Sequence, residues 1–225
     1  MARLQRGDKL LIASHNPGKL REFAEMLAPH GVEVVAAADF DLPEPPEIGT
    51  TFEENARIKA LAACQATGLP ALSDDSGLEV EALDGAPGVY SADWGGPDKN
   101  FTAAMQRIYD QVKAANGWSD EGRRANFNAT LVLVSPQQAQ TGAQQAPVNH
   151  KAFVGKVFGT LQWPPRGSQG FGYDPMFEPD GASKTFGEMT SNEKHGTAGT
   201  ASPGLSHRAR ALRKFIEAVV DGAKP

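Results

Sequence analysis

Two adjacent carboxylates, Asp74 and Asp75, are the residues of this sequence with the clearest chemical potential. They follow a short apolar run at residues 69–72 and are followed at once by Ser76 and Gly77. That order predicts a buried strand that ends in an acidic turn. Neighbouring carboxylates repel each other, so they are most easily tolerated where a cation or a shared proton lies between them. An ordinary turn in water is the alternative, since Asp, Ser and Gly are common turn residues.

A second segment, residues 14–19 with the sequence SHNPGK, has the composition of an anion-binding helix start. Residues 9–13 predict a buried strand, Asn16 is a suitable N-cap, and Pro17 suits the first helical position. The start of the helix presents free backbone N–H groups and the positive end of the helix dipole. Lys19 in the first turn opposes that dipole, which favours an anion nearby. A normal capped helix with an exposed lysine is the alternative.

A third segment places Phe171 between two glycines in the sequence GSQGFGYDP. Such a ring on a thin backbone suits stacking on a planar base, whereas packing into the core is the commoner role of a phenylalanine. A fourth feature is a helix capped by Ser206 with His207 and Arg208 in its first turn, again cations at a helix start. The acidic turn at Asp74, the ring of Phe171 and the two helix starts that carry cations together predict a site for a nucleotide polyphosphate.

The composition fits this interpretation. The chain has 225 residues, 40% of them hydrophobic and 22% charged, and its net charge of -5 argues against a nucleic-acid polymer as partner. Its single cysteine, Cys64, excludes an internal disulfide and fits a reducing compartment. The apolar run at residues 10–13 is too short for a signal peptide or a membrane span, so we expect a cytoplasmic protein.

The remaining pattern alternates strands and helices without an internal repeat or a long linker, which predicts one domain over residues 1–225. A helix that starts at Thr50 or Thr51 carries Lys59, which is interpreted as solvated rather than as a phosphate ligand. Other predicted elements are strands at 32–37, 125–134 and 152–161, helices at 100–117 and 185–194, and loops at 39–49 and 137–145.

The chain resembles the inosine/xanthosine triphosphate pyrophosphatase family. The resemblance rests on four blocks in order along nearly the whole chain: SHNPGK, FEENARIKA with LSDDSGLEVEALDGAPGVYSA, GFGYDP, and Lys194 with the SHR of residues 206–208. It implies an α/β fold, an elongated central mixed β-sheet flanked by helices, with two lobes and an active-site cleft between them. It also implies a homodimer and a Mg²⁺ requirement.

The resemblance assigns roles by position. It implies that Asp75 is the proton acceptor and a metal ligand, and that Glu47 completes the metal site. Because Pro46 stands where relatives can carry a second acid, Glu44 and Glu47 stay unseparated, and the role of Asp74 stays open. The residues that it assigns to substrate binding are Ser14, His15, Asn16, Pro17, Gly18, Lys19, Ser76, Phe171, Gly172, Tyr173, Asp174, Lys194, His207 and Arg208.

The implied reaction is hydrolysis of non-standard purine nucleoside triphosphates (ITP, dITP and XTP) to the nucleoside monophosphate and pyrophosphate, which removes them from the nucleotide pool. A pyrophosphatase for modified pyrimidine triphosphates and a non-enzymatic nucleotide-binding module are the alternatives. The sequence ranks neither the three triphosphates nor ribose against deoxyribose. The segment at 195–205 is longer than expected for the family, and its effect stays open.

Overall fold

The computed structural model describes residues 3–136, 148–196 and 204–221 as an α/β protein with a six-stranded sheet in the order β2-β1-β3-β4-β5-β6. β1 pairs in parallel with β2 and β3, whereas β5 and β6 are antiparallel, so the sheet is mixed as predicted. The predicted loop at 137–145 and most of the segment at 195–205 lie outside the described residues. The strands are β1 (Lys9–Ile12), β2 (Glu33–Ala36), β3 (Ala71–Val80), β4 (Arg124–Pro136), β5 (Val148–Leu161) and β6 (Phe177–Pro179), and the α-helices are α1 (Pro17–Leu27), α2 (Phe52–Thr67), α3 (Phe101–Asn116), α4 (Ser191–His195) and α5 (His207–Val219).

The main helices begin where the capping residues predict. The side chain of Asn16 accepts hydrogen bonds from the first turn of α1, and Pro17 occupies its first position. Thr51 and Glu54 form the capping box of α2. The Ser206 hydroxyl accepts the backbone N–H of Ala209 at the start of α5. Local capping chemistry therefore fixes the helix starts.

The prediction that the strand at residues 69–72 ends in an acidic turn at Asp74 is wrong. β3 continues through both aspartates, Ser76 and Gly77 to Val80. Side chains alternate between the two faces of a strand, so the adjacent aspartates point in opposite directions and do not share one cation or proton. Their repulsion is reduced by geometry, and the strand needs no turn at this point.

The helix predicted at 185–194 is also different from the prediction. Thr185 and Glu188 form a capping box, but it opens only a short 3₁₀ helix at Phe186–Glu188. A second capping box, between Thr190 and Glu193, then opens α4. The second cap interrupts what the pattern suggested was one helix.

The chain forms two compact units. Unit 1 comprises residues 1–75, 130–154 and 211–225. One hydrophobic cluster of this unit is formed by β1, α2, the start of β3 and the end of β4, and the buried members of that cluster are mostly small: Leu11, Ala13, Ala56, Ala60, Ala63, Cys64, Ala71, Val132 and Val134. The predicted strand at 9–13, the helix from Thr51 and the buried cysteine all lie here.

Unit 2 comprises residues 76–129 and 155–210. Its core packs α3 with parts of β3, β4, β5 and β6 around Phe127, Phe177 and Phe186. The predictions of a single two-lobed domain and of a cleft between lobes stay predictions. Among the helices of the described residues, none is long and apolar enough to cross a membrane.

Candidate active site

Each aspartate of β3 is paired with a lysine from a different helix. Lys19 of α1 lies 2.9 Å from Asp74 Oδ2, whose side chain is fully buried. Lys59 of α2 lies 3.4 Å from Asp75 Oδ1. The acidic strand segment therefore carries two separate ion pairs in unit 1, one for each carboxylate.

Lys59 is the residue that joins the acidic strand to the proline-rich loop. Its ammonium also donates to Glu47 Oε1, so one buried cation contacts two carboxylates. Burial alone lowers the pKa of Lys59, but the charges of Asp75 and Glu47 outweigh it and leave the pKa raised. Lys59 is therefore an ammonium ion at neutral pH, and the interpretation of Lys59 as a solvated lysine is wrong.

A polar signal on α2 could have identified Lys59 from the sequence. The buried face of α2 includes Phe52, Ala56 and Ala60, and it includes Asn55 and Lys59 at the same helical spacing. Polar residues on a buried helical face must have partners inside the protein. Asn55 meets that requirement by accepting the N–H of Gly49 through its side-chain oxygen at 2.7 Å.

The loop that carries Glu47 is held at both ends. His15 Nε2 lies 2.9 Å from the carbonyl oxygen of Leu42 at one end, and Asn55 holds Gly49 at the other. Because the partner of His15 is a carbonyl, the imidazole nitrogen is the donor. Glu47 lies between these anchors, and its side chain is 43% exposed.

Glu44 lies in a different environment from Glu47. It is exposed, and it lines a cavity of about 180 Å³ whose other walls are mostly Ala, Leu and Pro side chains but also include His15 and Lys59. Glu47, in contrast, contacts Lys59 beside Asp75. Within the described residues, the loop acid that forms an ion pair with Lys59 is therefore Glu47.

The Asp75 carboxyl has an unusual protonation equilibrium. Burial raises its pKa from the ordinary 3.8 to about 6; the charge of Lys59 opposes that rise, while Glu47 adds to it. Its Oδ1 faces Lys59, whereas Oδ2 is buried and has no hydrogen-bond partner among the described residues. A carboxylate with one unused oxygen and a pKa near neutrality has the properties of a general base.

We expect this carboxyl to titrate near pH 6 in the metal-free protein, because its neutral form is favoured by burial. The measurement is a pH series of side-chain ¹³C NMR spectra with EDTA present. Lys59→Met should raise the midpoint further, since the variant removes the charge that lowers the pKa. Arg57→Met, on the exposed side of the same helix, is the control and should leave the midpoint in place. A midpoint at the ordinary 3.8 would contradict the assignment.

The segment at 14–19 forms a tight polar turn before α1. The Ser14 hydroxyl accepts the N–H of Asn16, and the Asn16 side chain accepts the N–H groups of Gly18 and Lys19. The anion beside the ammonium of Lys19 is Asp74. A protein carboxylate therefore accounts for the cation at this helix start, which weakens the sequence argument that a bound anion is needed there.

The segment at 171–174 is built around a buried ion pair in unit 2. Asp174 Oδ2 accepts from Lys194 Nζ at 2.7 Å and from the backbone N–H of Phe171 at 2.9 Å. Gly170, with a φ of +77°, lies so close that a Cβ there would be 2.0 Å from the same oxygen. Phe171 is 51% exposed, in agreement with the exposure predicted from its glycine neighbours.

Tyr173 anchors the segment at 171–174 to the interior of unit 2. Its ring is buried, and its hydroxyl donates to the carbonyl of Ser91 at 2.8 Å. The Ser91 hydroxyl in turn accepts the N–H of Leu78 in β3. Burial raises the pKa of Tyr173, so its hydroxyl remains a donor to Ser91. The structure thus gives Tyr173 a packing and positioning role, whereas the ring of Phe171 is the accessible one.

The start of α5 contributes two further side chains to unit 2. Arg208 is buried and donates to the Ser76 hydroxyl at 3.2 Å. The ring of His207 is stacked on Phe127, with centroids 4.8 Å apart. Gly172 lies near the edge of Phe101. Unit 2 therefore brings Phe171, Asp174 and Lys194 together as one group and Ser76 and Arg208 as another.

The donor atoms of Glu47 and Asp75 decide whether this region can hold a metal. The described residues contain no group of three or more His, Cys, Asp or Glu side chains placed to bind a metal. Glu47 and Asp75 nevertheless face the same ammonium, and the buried Oδ2 of Asp75 has no hydrogen-bond partner there. Two carboxylates fit Mg²⁺, which commonly uses one or two protein carboxylates together with substrate phosphates and water.

Comparisons with known proteins agree on one family. The model of the Ham1 family matches residues 10–218. A dITP/XTP pyrophosphatase of Mesorhizobium japonicum is 53% identical over 218 residues, which cover 96% of this chain and 94% of the relative. A dITP/XTP pyrophosphatase of Brucella melitensis is 51% identical over 220 residues, 96% of this chain and 95% of the relative. The solved structure of a HAM1 protein from Coxiella burnetii has a TM-score of 0.78 at 32% identity and covers 96% of this chain and 100% of that one.

Proposed function

The chain belongs to the Ham1 family, and we propose that it hydrolyses the non-standard purine nucleoside triphosphates dITP, XTP and ITP to the monophosphate and pyrophosphate. Relatives named dITP/XTP pyrophosphatase align over nearly the full length of the chain, and they confirm the resemblance predicted from the sequence. The observation that carries the chemical assignment is the arrangement of Asp75, which pairs with Lys59 through Oδ1 and whose buried Oδ2 has no hydrogen-bond partner among the described residues.

We propose that Asp75 is the base of the reaction. Its carboxylate would orient a water molecule and accept a proton from it as the water attacks the α-phosphorus, so that the bond from the α-phosphorus to the bridging oxygen breaks and pyrophosphate leaves. In the absence of a metal, burial raises the pKa of Asp75 to about 6, so this carboxyl accepts a proton more readily than an ordinary aspartate. Lys19 and Lys59 would supply positive charge for the phosphate oxygens.

We assign the metal ligands of this reaction to Glu47 and Asp75. Their oxygen donors and the unused Oδ2 of Asp75 support the assignment. When bound, Mg²⁺ supplies neutralisation of the charge that develops on the phosphate oxygens. We prefer Glu47 to Glu44 because Glu47 forms an ion pair with Lys59, which also pairs with Asp75. We propose that the role of Asp74 is to hold Lys19 in place through their ion pair.

We propose that the purine ring of the substrate binds to the group formed by Phe171, Asp174 and Lys194. The half-exposed ring of Phe171 offers a stacking surface, and Asp174 holds both the backbone of Phe171 and the ammonium of Lys194. An ammonium has three donors, of which Asp174 uses one. A purine 6-oxo group would accept another, whereas the amino group of adenine would leave it unpaired, which can cost orders of magnitude in rate.

The remaining substrate contacts implied by the family stay proposals for this chain. They involve residues 14–19 at the start of α1, and Ser76, His207 and Arg208 in unit 2. The hydrogen bond between Arg208 and Ser76 supports their assignment to one group. The homodimer and the cytoplasmic location also stay predictions.

One panel of substrates tests the function. With Mg²⁺ present, the protein should release pyrophosphate from dITP, XTP and ITP, and it should release little from dATP because an adenine lacks the oxo group. EDTA should abolish the release. Pyrophosphate from dTTP or modified UTP instead would identify the pyrimidine alternative, and no release from any triphosphate would favour a binding module. Either result would contradict the proposed function.

A further inference from the structure

Lys59 occupies an unusual position for a residue of a metal-dependent site. Its ammonium contacts Glu47 and Asp75, which are the two acids with the donor atoms to hold a metal. The side chain of Lys59 is only 7% exposed, so water does not replace it easily. A cation that belongs to the protein therefore lies at the carboxylates that a divalent cation would use.

This arrangement has an electrostatic cause. Without a cation between them, Glu47 and Asp75 would repel each other, and burial of Asp75 would increase the cost. The ammonium of Lys59 balances that repulsion. Lys19, the second lysine of the region, is paired with Asp74. Among the ion pairs of the described residues, Lys59 is the cation that contacts both proposed metal ligands.

We propose that Lys59 is an internal competitor of the divalent metal. It holds Glu47 and Asp75 together while the site contains no metal, and it must release both carboxylates before the metal binds to them. The phosphate chain of a nucleotide supplies an alternative partner for the released ammonium. Metal and nucleotide should therefore bind cooperatively, and the metal alone should bind weakly. The proposal rests on the proposed function for the identity of these ligands.

The surroundings of Lys59 indicate that the carboxylates would stay in place without it. The loop of Glu47 is anchored by contacts of His15 and Asn55 that do not involve Lys59. Asp75 is fixed by its position inside β3. Removal of the ammonium should therefore leave two acids close together with no cation, which is a stronger site for a divalent metal than the native one.

The direct test measures Mn²⁺ binding without nucleotide. Free Mn²⁺ is followed by its EPR signal during titration of the wild type and of Lys59→Met, which keeps most of the length of the side chain and removes the charge. We expect Lys59→Met to bind Mn²⁺ about tenfold more tightly or better, within the usual range for coupling between two binding events. Equal or weaker binding by this folded variant would overturn the proposal.

Arg57→Met is the matched control, since it makes the same change of charge on the exposed side of the same helix. Its effect on Mn²⁺ affinity measures the general electrostatic contribution, which should be small. Lys59→Gln is the second variant if Lys59→Met does not fold, and it should also bind Mn²⁺ more tightly. Because no nucleotide is present, these results do not depend on which triphosphate the enzyme hydrolyses.

A second measurement tests the cooperativity. In the wild type, a non-hydrolysable α,β-imido analogue of dITP should increase the affinity for Mn²⁺. In Lys59→Met the same analogue should increase it much less, because the competing ammonium is already absent. An unchanged increase in the variant would show that Lys59 does not couple the two ligands and would overturn the proposal.

Discussion

Replacing Asp75 with asparagine is expected to lower the kcat for dITP by about 10²-fold or more, because loss of a general base has an effect of that size. An amide cannot accept the proton of the attacking water and carries no charge for a metal. The variant should still bind dITP, since Lys19 and Lys59 remain. The measurements are pyrophosphate release at saturating dITP and Mg²⁺, and calorimetric titration with dITP.

Glu44→Gln is the control for Asp75→Asn. It also removes one acidic charge near the site, but the ion pairs of Lys59 are with Glu47 and Asp75 rather than with Glu44. Its kcat should stay within about twofold of the wild type, as expected for a residue outside the catalytic machinery. An Asp75→Asn variant with the wild-type kcat would show that the base is another group.

The helix starts could be predicted from the sequence because capping is a local interaction. Asn16, Thr51 and Ser206 each bond to backbone groups two or three residues ahead, so the pattern that identifies them is complete within one turn. The same holds for the exposed ring of Phe171, whose glycine neighbours leave its backbone thin. Features that depend on interactions within a few residues could therefore be predicted from the sequence.

The partners of the two aspartates could not be predicted in the same way. Lys19 is 55 residues from Asp74 in the sequence, and Lys59 is 16 residues from Asp75. Such pairs depend on the packing of α1 and α2 against the sheet, which no local pattern describes. Without them, two adjacent acids suggested a turn with a shared cation, whereas each acid has its own lysine on its own side of the strand.

Lys59 is an exception to the usual solvent exposure of helical lysines. Most helical lysines are solvated, but this one lies on the buried face together with Asn55, Ala56 and Ala60. The spacing was present in the sequence, and burial of two polar residues on that face implies partners inside the protein. The identity of those partners, a loop acid and a strand acid, required the structure.

Asp174→Asn is expected to destabilise the fold by about 3 kcal/mol, the size seen when one partner of a buried ion pair is removed. Lys194 would keep its charge in a buried position without a carboxylate beside it, since both side chains are less than one-tenth exposed. The amide of asparagine can still accept the N–H of Phe171, so the loss should come from the charge. The measurement is urea unfolding at pH 7, compared with the wild type.

Two further variants test whether the unpaired charge of Lys194 causes the loss of stability. Asp174→Asn combined with Lys194→Met removes the stranded charge, and it should recover most of the lost stability. Asp180→Asn makes the same substitution in a pair with Arg124 that is far more exposed, with side chains 54% and 32% accessible, so it should cost only about 0–1 kcal/mol. If Asp174→Asn were no more destabilising than Asp180→Asn, the charge of Lys194 would not depend on Asp174. The ammonium would then need another partner, and the assignment of Lys194 to the purine base would lose its structural support.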